Sequence, residues 1–290
     1  MLIPRSPLFF AETSAQNVRC ELCPNFCEIP DGSFGICRVR GSKNGRGIIP
    51  FYGFVTALAV DPIEKKPLYH FKPGSQILSL GFAGCNFRCP FCQNWHISQK
   101  TAHHGKYMKP EEIVSAALKH NSPSIAYTYS EPLIHAEYLL DCMRLARKNG
   151  INNVLVTNGC INLEPAAEIL KLTDAANVDL KSFCEETYKN ILCGTSGNLL
   201  QTVLDFIRLC HKMNVHLEIT TLVVPDMNDS EDELNAAADF IASVDRAIPW
   251  HLSAYRPEYR WNAPRTNPGF LLRTAEIMRQ KLNHVYTGNI

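Results

Sequence analysis

The feature that most constrains this chain is a rhythm that begins at Gln76. Short apolar runs alternate with amphipathic stretches about every 20 to 40 residues. Strands are expected at 77–82, 124–129, 153–157, 176–180, 215–224 and 250–254. Helices are expected at 110–120, with Pro110 in the first turn, and at 132–149, closed by Gly150. Further helices are expected at 164–172, 184–192, 198–212 and 231–243, the last capped by Asp229 or Ser230. Such alternation means βαβ units and a parallel sheet. Six units in succession, without a glycine-rich dinucleotide fingerprint, favour an α/β fold of the partial (β/α)6-type TIM barrel kind. Residues 71–262 would form it. Residues 1–70, rich in Cys, Gly and Pro, would form a metal-binding extension with a small sheet, and 263–290 a closing helix (270–281) and short strand (284–286).

Composition narrows the class. Apolar residues make up 46% of the 290 positions and charged residues 20%, enough to bury a core. Lys plus Arg (29) nearly balances Asp plus Glu (28), so no general electrostatic attraction to nucleic acid or an anionic membrane is expected. No apolar run reaches the roughly 20 residues of a membrane span. Pro4, Arg5 and Pro7 interrupt the apolar start, unlike a secretory signal. A cytoplasmic protein is expected, and its 12 cysteines then read as thiols or metal ligands rather than disulfides.

Seven cysteines fall before residue 93, in two clusters. Cys85, Cys89 and Cys92 have the spacing CxxxCxxC directly after the first barrel strand. Three thiolates suit an iron–sulfur cluster with one iron left open, or a zinc knuckle completed by a residue such as His96. Cys20, Cys23, Cys27 and Cys37 supply the four thiolates of a closed site, zinc or Fe–S. Chemistry in a parallel barrel sits at the carboxyl ends of strands. The remaining strand ends offer Ser130-Glu131, Asn158-Gly159, Asp179 with Lys181, Glu218 with Thr220, and His251 with Ser253. Taken singly, Asp179 and Lys181 also fit a surface pair and His251 a core histidine. Glu64, Lys65 and Lys66 read as a solvated charged turn, or as contacts to SAM or substrate over the barrel mouth; His103 and His104 read as a mobile loop, and Cys142 and Cys210 as core. Cys193 is a candidate hydrogen-atom donor.

The string GCNFRCPFCQNWHISQ resembles the radical S-adenosylmethionine (SAM) superfamily, in its pyruvate formate-lyase activating enzyme-related branch. CELCPNFCEIPDGSFGICRVR, DPIEKKPLYHFKPGS, TYSEP, VTNGCI, VDLKSF, TTLVVPDMNDSEDEL, PWHLSAYRP and VYTGN extend the likeness over the whole chain. Together they resemble most the radical SAM member of the AmmeMemoRadiSam system. The resemblance implies a [4Fe-4S] cluster on Cys85, Cys89 and Cys92, with Phe91 near adenine. It implies SAM contacts from Ser130 and Glu131 (amino group), Asn158 (ribose), Asp179 and Lys181 (methionine moiety and ribose) and His251. It implies an oxidoreductase that cleaves SAM to a 5′-deoxyadenosyl radical, in an anaerobic or microaerobic setting, acting on an unidentified small molecule or protein. A flavodoxin or ferredoxin would donate the electron. A glycyl-radical activase and a zinc-stabilised binding barrel are the alternatives.

Overall fold

The computed structural model describes residues 6–13, 17–99, 105–193 and 197–290. The cysteine-rich start folds into short pieces. Strands β1 (Phe10–Glu12), β2 (Val18–Cys20) and β3 (Glu28–Ile29) make a three-stranded antiparallel sheet, and β4 (Gly41–Lys43) and β5 (Arg46–Ile48) a hairpin. Asn44 and Gly45 form the hairpin loop, both with positive φ (54° and 69°). That geometry matches the right-handed twist of the flanking strands, and Asn-Gly tolerates it best.

Strands β6 (Phe54–Pro62), β7 (Gln76–Phe82), β8 (Lys106–Tyr107), β9 (Ser124–Thr128), β10 (Asn152–Thr157), β11 (Ala175–Asp179), β12 (His216–Val223), β13 (Trp250–Ala254) and β14 (Val285–Gly288) build one nine-stranded sheet. Its order is β14-β13-β12-β11-β10-β9-β7-β6-β8. The seven strands from β14 to β7 are parallel, and β6 and β8 are antiparallel additions at one edge. The sheet thus takes β6 from before residue 70 and β14 from after residue 262. The apolar runs lack alternation because helices or plugging segments cover both faces; every residue of β9 is buried.

Helices α1 (Trp95–Ser98), α2 (Pro110–Lys119), α3 (Ala136–Lys148), α4 (Leu163–Leu170), α5 (Glu185–Thr187), α6 (Leu199–Lys212), α7 (Glu231–Val244) and α8 (Pro268–Met278) link the strands. α6 buries Leu199, Val203, Phe206, Ile207 and Cys210, spaced by three or four, against the sheet. Ser230 caps α7 by accepting from the Glu233 amide. Gly150 follows α3 at φ 70°, the left-handed cap its sequence position implies.

Two helices differ from expectation. The stretch from Pro132 opens with a 3-10 turn, Pro132–His135, before α3. Glu131 caps that turn by accepting from the Leu133 amide at 3.0 Å, which fixes Glu131 at the end of β9. The helix expected over 184–192 is only α5, followed by a wider π turn from Tyr188 to Cys193. There the Leu192 carbonyl accepts from the Arg88 amide at 2.5 Å instead of serving a regular helix. Cys142 and Cys210 lie in the core as expected.

At the amino ends of the parallel strands, Ile63 and Leu68 pack on Ile77, Ala126, Val154 and Ala175 in a cluster of their own. The segment between β6 and β7 therefore plugs one end of the sheet's inner side, and the other end holds the cavity.

Two glycines separate backbone geometry from packing. Gly74 (φ 77°) has nothing within 4 Å of a built Cβ, whereas at Gly159 (φ 67°) that atom would lie 2.9 Å from the Phe206 ring. Gly74→Ala should cost about 1–2 kcal/mol for the left-handed backbone alone. Gly159→Ala should cost that plus about 1–3 kcal/mol of overpacking. Urea unfolding of both variants measures this, and equal losses would contradict the contact at Gly159.

Candidate functional site

The chain leaves β7 at Ala83 and turns at Gly84, where φ is 81° and a Cβ would stand 2.5 Å from the Cys37 carbonyl oxygen. Only glycine fits that approach. The cysteine loop follows, and Asn86 anchors it. The Asn86 Nδ2 donates to the Cys160 carbonyl at 2.8 Å, and its Oδ1 accepts from Asn158 Nδ2 at 2.9 Å. Its carbonyl accepts from Asn25 Nδ2 at 3.3 Å. Arg88 donates to the Cys85 carbonyl at 3.1 Å and also to the Ile36 carbonyl. Cys92 Sγ lies 3.1 Å from Ser98 Oγ, and the Phe87 amide points at Cys85 Sγ at 3.3 Å.

Cys85, Cys89 and Cys92 border a cavity of about 750 Å³. Phe91, Ser130, Glu131, Asn158, Asp179, Lys181 and His251 line the same cavity. The structure thus brings Cys85, Cys89, Cys92, Phe91, Ser130, Glu131, Asn158, Asp179, Lys181 and His251 to one cavity, whereas Glu218 does not border it. Burial, then the Glu131 charge, pushes the Cys85 thiol well above its usual range. Burial pushes Cys89 up to about 12 against the neighbouring Lys181 charge. Thiols so raised ionise only against a cation, so metal binding here would release protons.

The strand-end residues are held from several directions. Glu131, 1% exposed, accepts from the Leu133 amide and Thr157 Oγ1 on Oε1 (3.0 and 2.6 Å) and from the Asn158 amide on Oε2 (2.8 Å). Burial raises its carboxyl to about 7 even against those bonds. A carboxylate has about four acceptor sites, so one on Oε2 is left. Ser130 Oγ donates to the Phe82 carbonyl at 2.7 Å, tying β9 to β7. Lys181 Nζ pairs with Asp179 at 2.8 Å. Burial opposes the Lys181 charge, yet Asp179 and Cys89 outweigh it and hold Lys181 above its ordinary range. His251 Nε2 bonds Glu218 Oε2 at 2.7 Å, and its ring stacks on Tyr286 at 5.3 Å.

Several residues around this cavity have surroundings that the sequence does not show. Lys66 is 4% exposed, not solvated; it pairs with Asp61 at 2.8 Å and lies over the Tyr129 ring at 4.5 Å. The solvated-turn reading holds for Lys65, which is exposed, and fails for Lys66 because Asp61 and Tyr129 compensate its charge in the interior. Thr220 is buried on β12, borders the cavity, and its Oγ1 has no hydrogen-bond partner. Thr287, Gly288 and Asn289 close the far side. His96 is exposed and does not border the cavity, so it is not placed to complete a zinc knuckle. His103, His104 and the Cys193 side chain lie outside the described residues.

The four N-terminal cysteines also converge. Cys20, Cys23, Cys27 and Cys37 border one small cavity, which Asn86 also lines. Burial raises Cys23 well above its usual range, and the Cys20, Cys37 and Cys27 charges add to it. Among the described residues no three His, Cys, Asp or Glu side chains stand at metal-ligand spacing, in either cysteine group. The cavity triad fits a thiophilic cluster by donor chemistry and by its place on an open wall. None of the described helices is long and apolar enough to cross a membrane.

The radical SAM superfamily model matches residues 80–241. The chain belongs to that superfamily, a class of enzymes that use SAM and an iron–sulfur cluster. It is 39% identical over 294 residues to an uncharacterised protein of Methanocaldococcus jannaschii, spanning 99% of this chain and 85% of that one. It is 25% identical over 206 residues to the pyruvate formate-lyase-activating enzyme of Clostridium pasteurianum, spanning 68% of this chain and 82% of that one. In fold it is similar to a radical SAM methyltransferase from Sphaerobacter thermophilus, with a TM-score of 0.55 at 13% identity over 75% of this chain and 67% of that one.

Glu218 gives a test of the cavity wall. Burial alone would raise its carboxyl. Hydrogen bonds from His216, His251 and the Tyr69 and His70 amides reverse that and hold it at about 2. A carboxyl depressed on folding contributes stability that is full above its unfolded value, near 4.5, and lost as pH falls towards about 2. Wild type should therefore exceed Glu218→Gln in stability at neutral pH, and the gap should close between those two values. Denaturation midpoints across the range measure it; a constant gap would refute the assignment.

Proposed function

We propose that this chain is an oxidoreductase that reductively cleaves SAM and uses the resulting radical to abstract hydrogen from an unidentified substrate. One observation carries the reading: the Cys85, Cys89 and Cys92 thiols share a cavity wall with the Glu131 and Asp179 carboxylates, the Lys181 ammonium group and the His251 imidazole. Cys85, Cys89 and Cys92 would hold a [4Fe-4S] cluster, which would supply the single electron needed for reductive cleavage of SAM.

The chain's own residues bind and orient. Glu131 Oε2 has acceptor capacity left for the ammonium of an amino-acid head group. Lys181 has one of its three donors on Asp179 and offers the others to a carboxylate. Asn158 reaches both Asn86 and the Cys85 sulfur (2.9 and 3.8 Å), so ribose contacts made by Asn158 would be registered to the cysteine loop. Glu218 holds His251 through Nε2, which leaves Nδ1 for the guest. Phe91, 4% exposed, gives a flat apolar wall for adenine. In this reading the parallel strands form a partial (β/α)6-type barrel over 71–262, with 1–70 as an extension and 263–290 closing the far side.

A narrower reading is hydrogen abstraction from a backbone glycine of a partner enzyme, as an activase. The likeness to the Clostridium activating enzyme favours it. Incubation with candidate partner enzymes, SAM and reductant should then give a glycyl-radical resonance; its absence with every candidate leaves the broader reading alone.

Anaerobically reconstituted protein with dithionite and SAM should release 5′-deoxyadenosine, and Cys89→Ala should release none above background. Lys181→Met should raise KM for SAM about 10- to 100-fold, the loss of one hydrogen bond to a charged group, with a smaller change in kcat. Equal product from wild type and Cys89→Ala would sink the proposal.

A further inference from the structure

The N-terminal cysteines lie outside the residues matched by the superfamily model, yet they are organised around sulfur. The Ile36 amide points at Cys27 Sγ at 3.4 Å and Arg40 Nε at Cys20 Sγ at 3.3 Å. Gly35 makes room: a Cβ there would stand 3.2 Å from Cys27 Sγ. None of the four thiols is in a disulfide. Donors aimed at sulfur stabilise thiolates rather than thiols. Hairpin, turn and sheet thus place four thiols about one small cavity, the ligand count of a closed centre.

Position suggests its use. The wall of that cavity includes Asn86, next in sequence to Cys85. The Cys37 carbonyl packs on Gly84, on the other side of Cys85, at a distance that admits no side chain. Cys20 and Cys37 are buried, Cys23 and Cys27 are residues of intermediate exposure, and Phe26, next in sequence to Cys27, is an exposed aromatic under the Arg19 guanidinium. The segment that carries Cys23 and Cys27 thus reaches the surface, and the Cys37 backbone touches the loop of the cavity triad. A structural zinc would need neither.

We propose that Cys20, Cys23, Cys27 and Cys37 hold a second iron–sulfur cluster, closed by four thiolates, that relays electrons from a protein donor to the cavity triad. The relay rests on the radical reading above; the cluster does not. For each SAM cleaved, a one-electron donor of the flavodoxin or ferredoxin class is oxidised by one electron, the cavity centre is reduced by one, and the relay returns to its starting state.

Iron, zinc and sulfide analysis of the anaerobically reconstituted wild type tests the cluster directly. Two clusters, about eight irons if both are cubanes, are expected; one cluster, or one cluster with zinc, overturns the proposal. The triple variant Cys85→Ala, Cys89→Ala, Cys92→Ala should keep one cluster whose reduced electron-paramagnetic signal ignores SAM. Cys23→Ala with Cys27→Ala should lose that signal. Reduction of its remaining cluster by flavodoxin should slow at least tenfold (~10-fold is 1.4 kcal/mol of barrier), with dithionite reduction unchanged. Equal flavodoxin rates overturn the relay. Two clusters without 5′-deoxyadenosine would sink the radical reading and leave the N-terminal cluster standing.

Discussion

The cavity depends on the way one buried amide, Asn86, ties three parts of the chain together. Its side chain serves Cys160 and Asn158 beyond β10, and its carbonyl serves Asn25 in the N-terminal segment. A loop of small and aromatic residues has little cohesion of its own. With a 1% exposed side chain bonded at both ends, the loop takes its position from the sheet. Leaving such a group unmatched would cost about 1–3 kcal/mol for each buried polar atom, so the loop and the end of β10 are set together.

Charge in the cavity is arranged rather than avoided. Glu131, Asp179, Lys181, Asp61 and Lys66 all sit at or near its wall, and each is matched by a neighbour. Burial works against Glu131, Lys181, Asp61 and Lys66; Asp61 falls well below the usual carboxylate range because Lys66 and Tyr129 outweigh burial. A pre-paired wall of this kind has little to reorganise when a zwitterionic guest arrives, which is how a protein lends electrostatics to chemistry carried by a cofactor.

Much of this was legible because a βαβ chain is periodic. Once the strands are located, their carboxyl ends follow by counting, and Glu131, Asn158, Asp179 and Lys181 fall there with the cysteine triad; His251, second in β13, reaches the same cavity through its register with Thr220. What sequence hides is partnership across space. A Lys-Lys pair reads the same whether solvated or buried, and nothing in DPIEKKP says that Tyr129, some sixty positions on, lies under one of the lysines. Glu218 reads as one more strand residue until the Tyr69 and His70 amides arrive from the plugging segment. The helix expected over 184–192 has the right pattern, but the Arg88 amide claims the Leu192 carbonyl and the turn widens. His96 is close to the triad in sequence and turned away from it, because the short helix α1 directs it outward.

The interior pairing of Lys66 with Asp61 carries a consequence for descent. Losing either alone strands a charge without its counter-ion, at a cost of about 3–5 kcal/mol, a large share of the margin by which a domain stays folded. Replacing both by apolar residues of similar bulk avoids that cost. Among relatives these two positions should therefore covary, kept together or exchanged together, while Lys65 next door drifts freely.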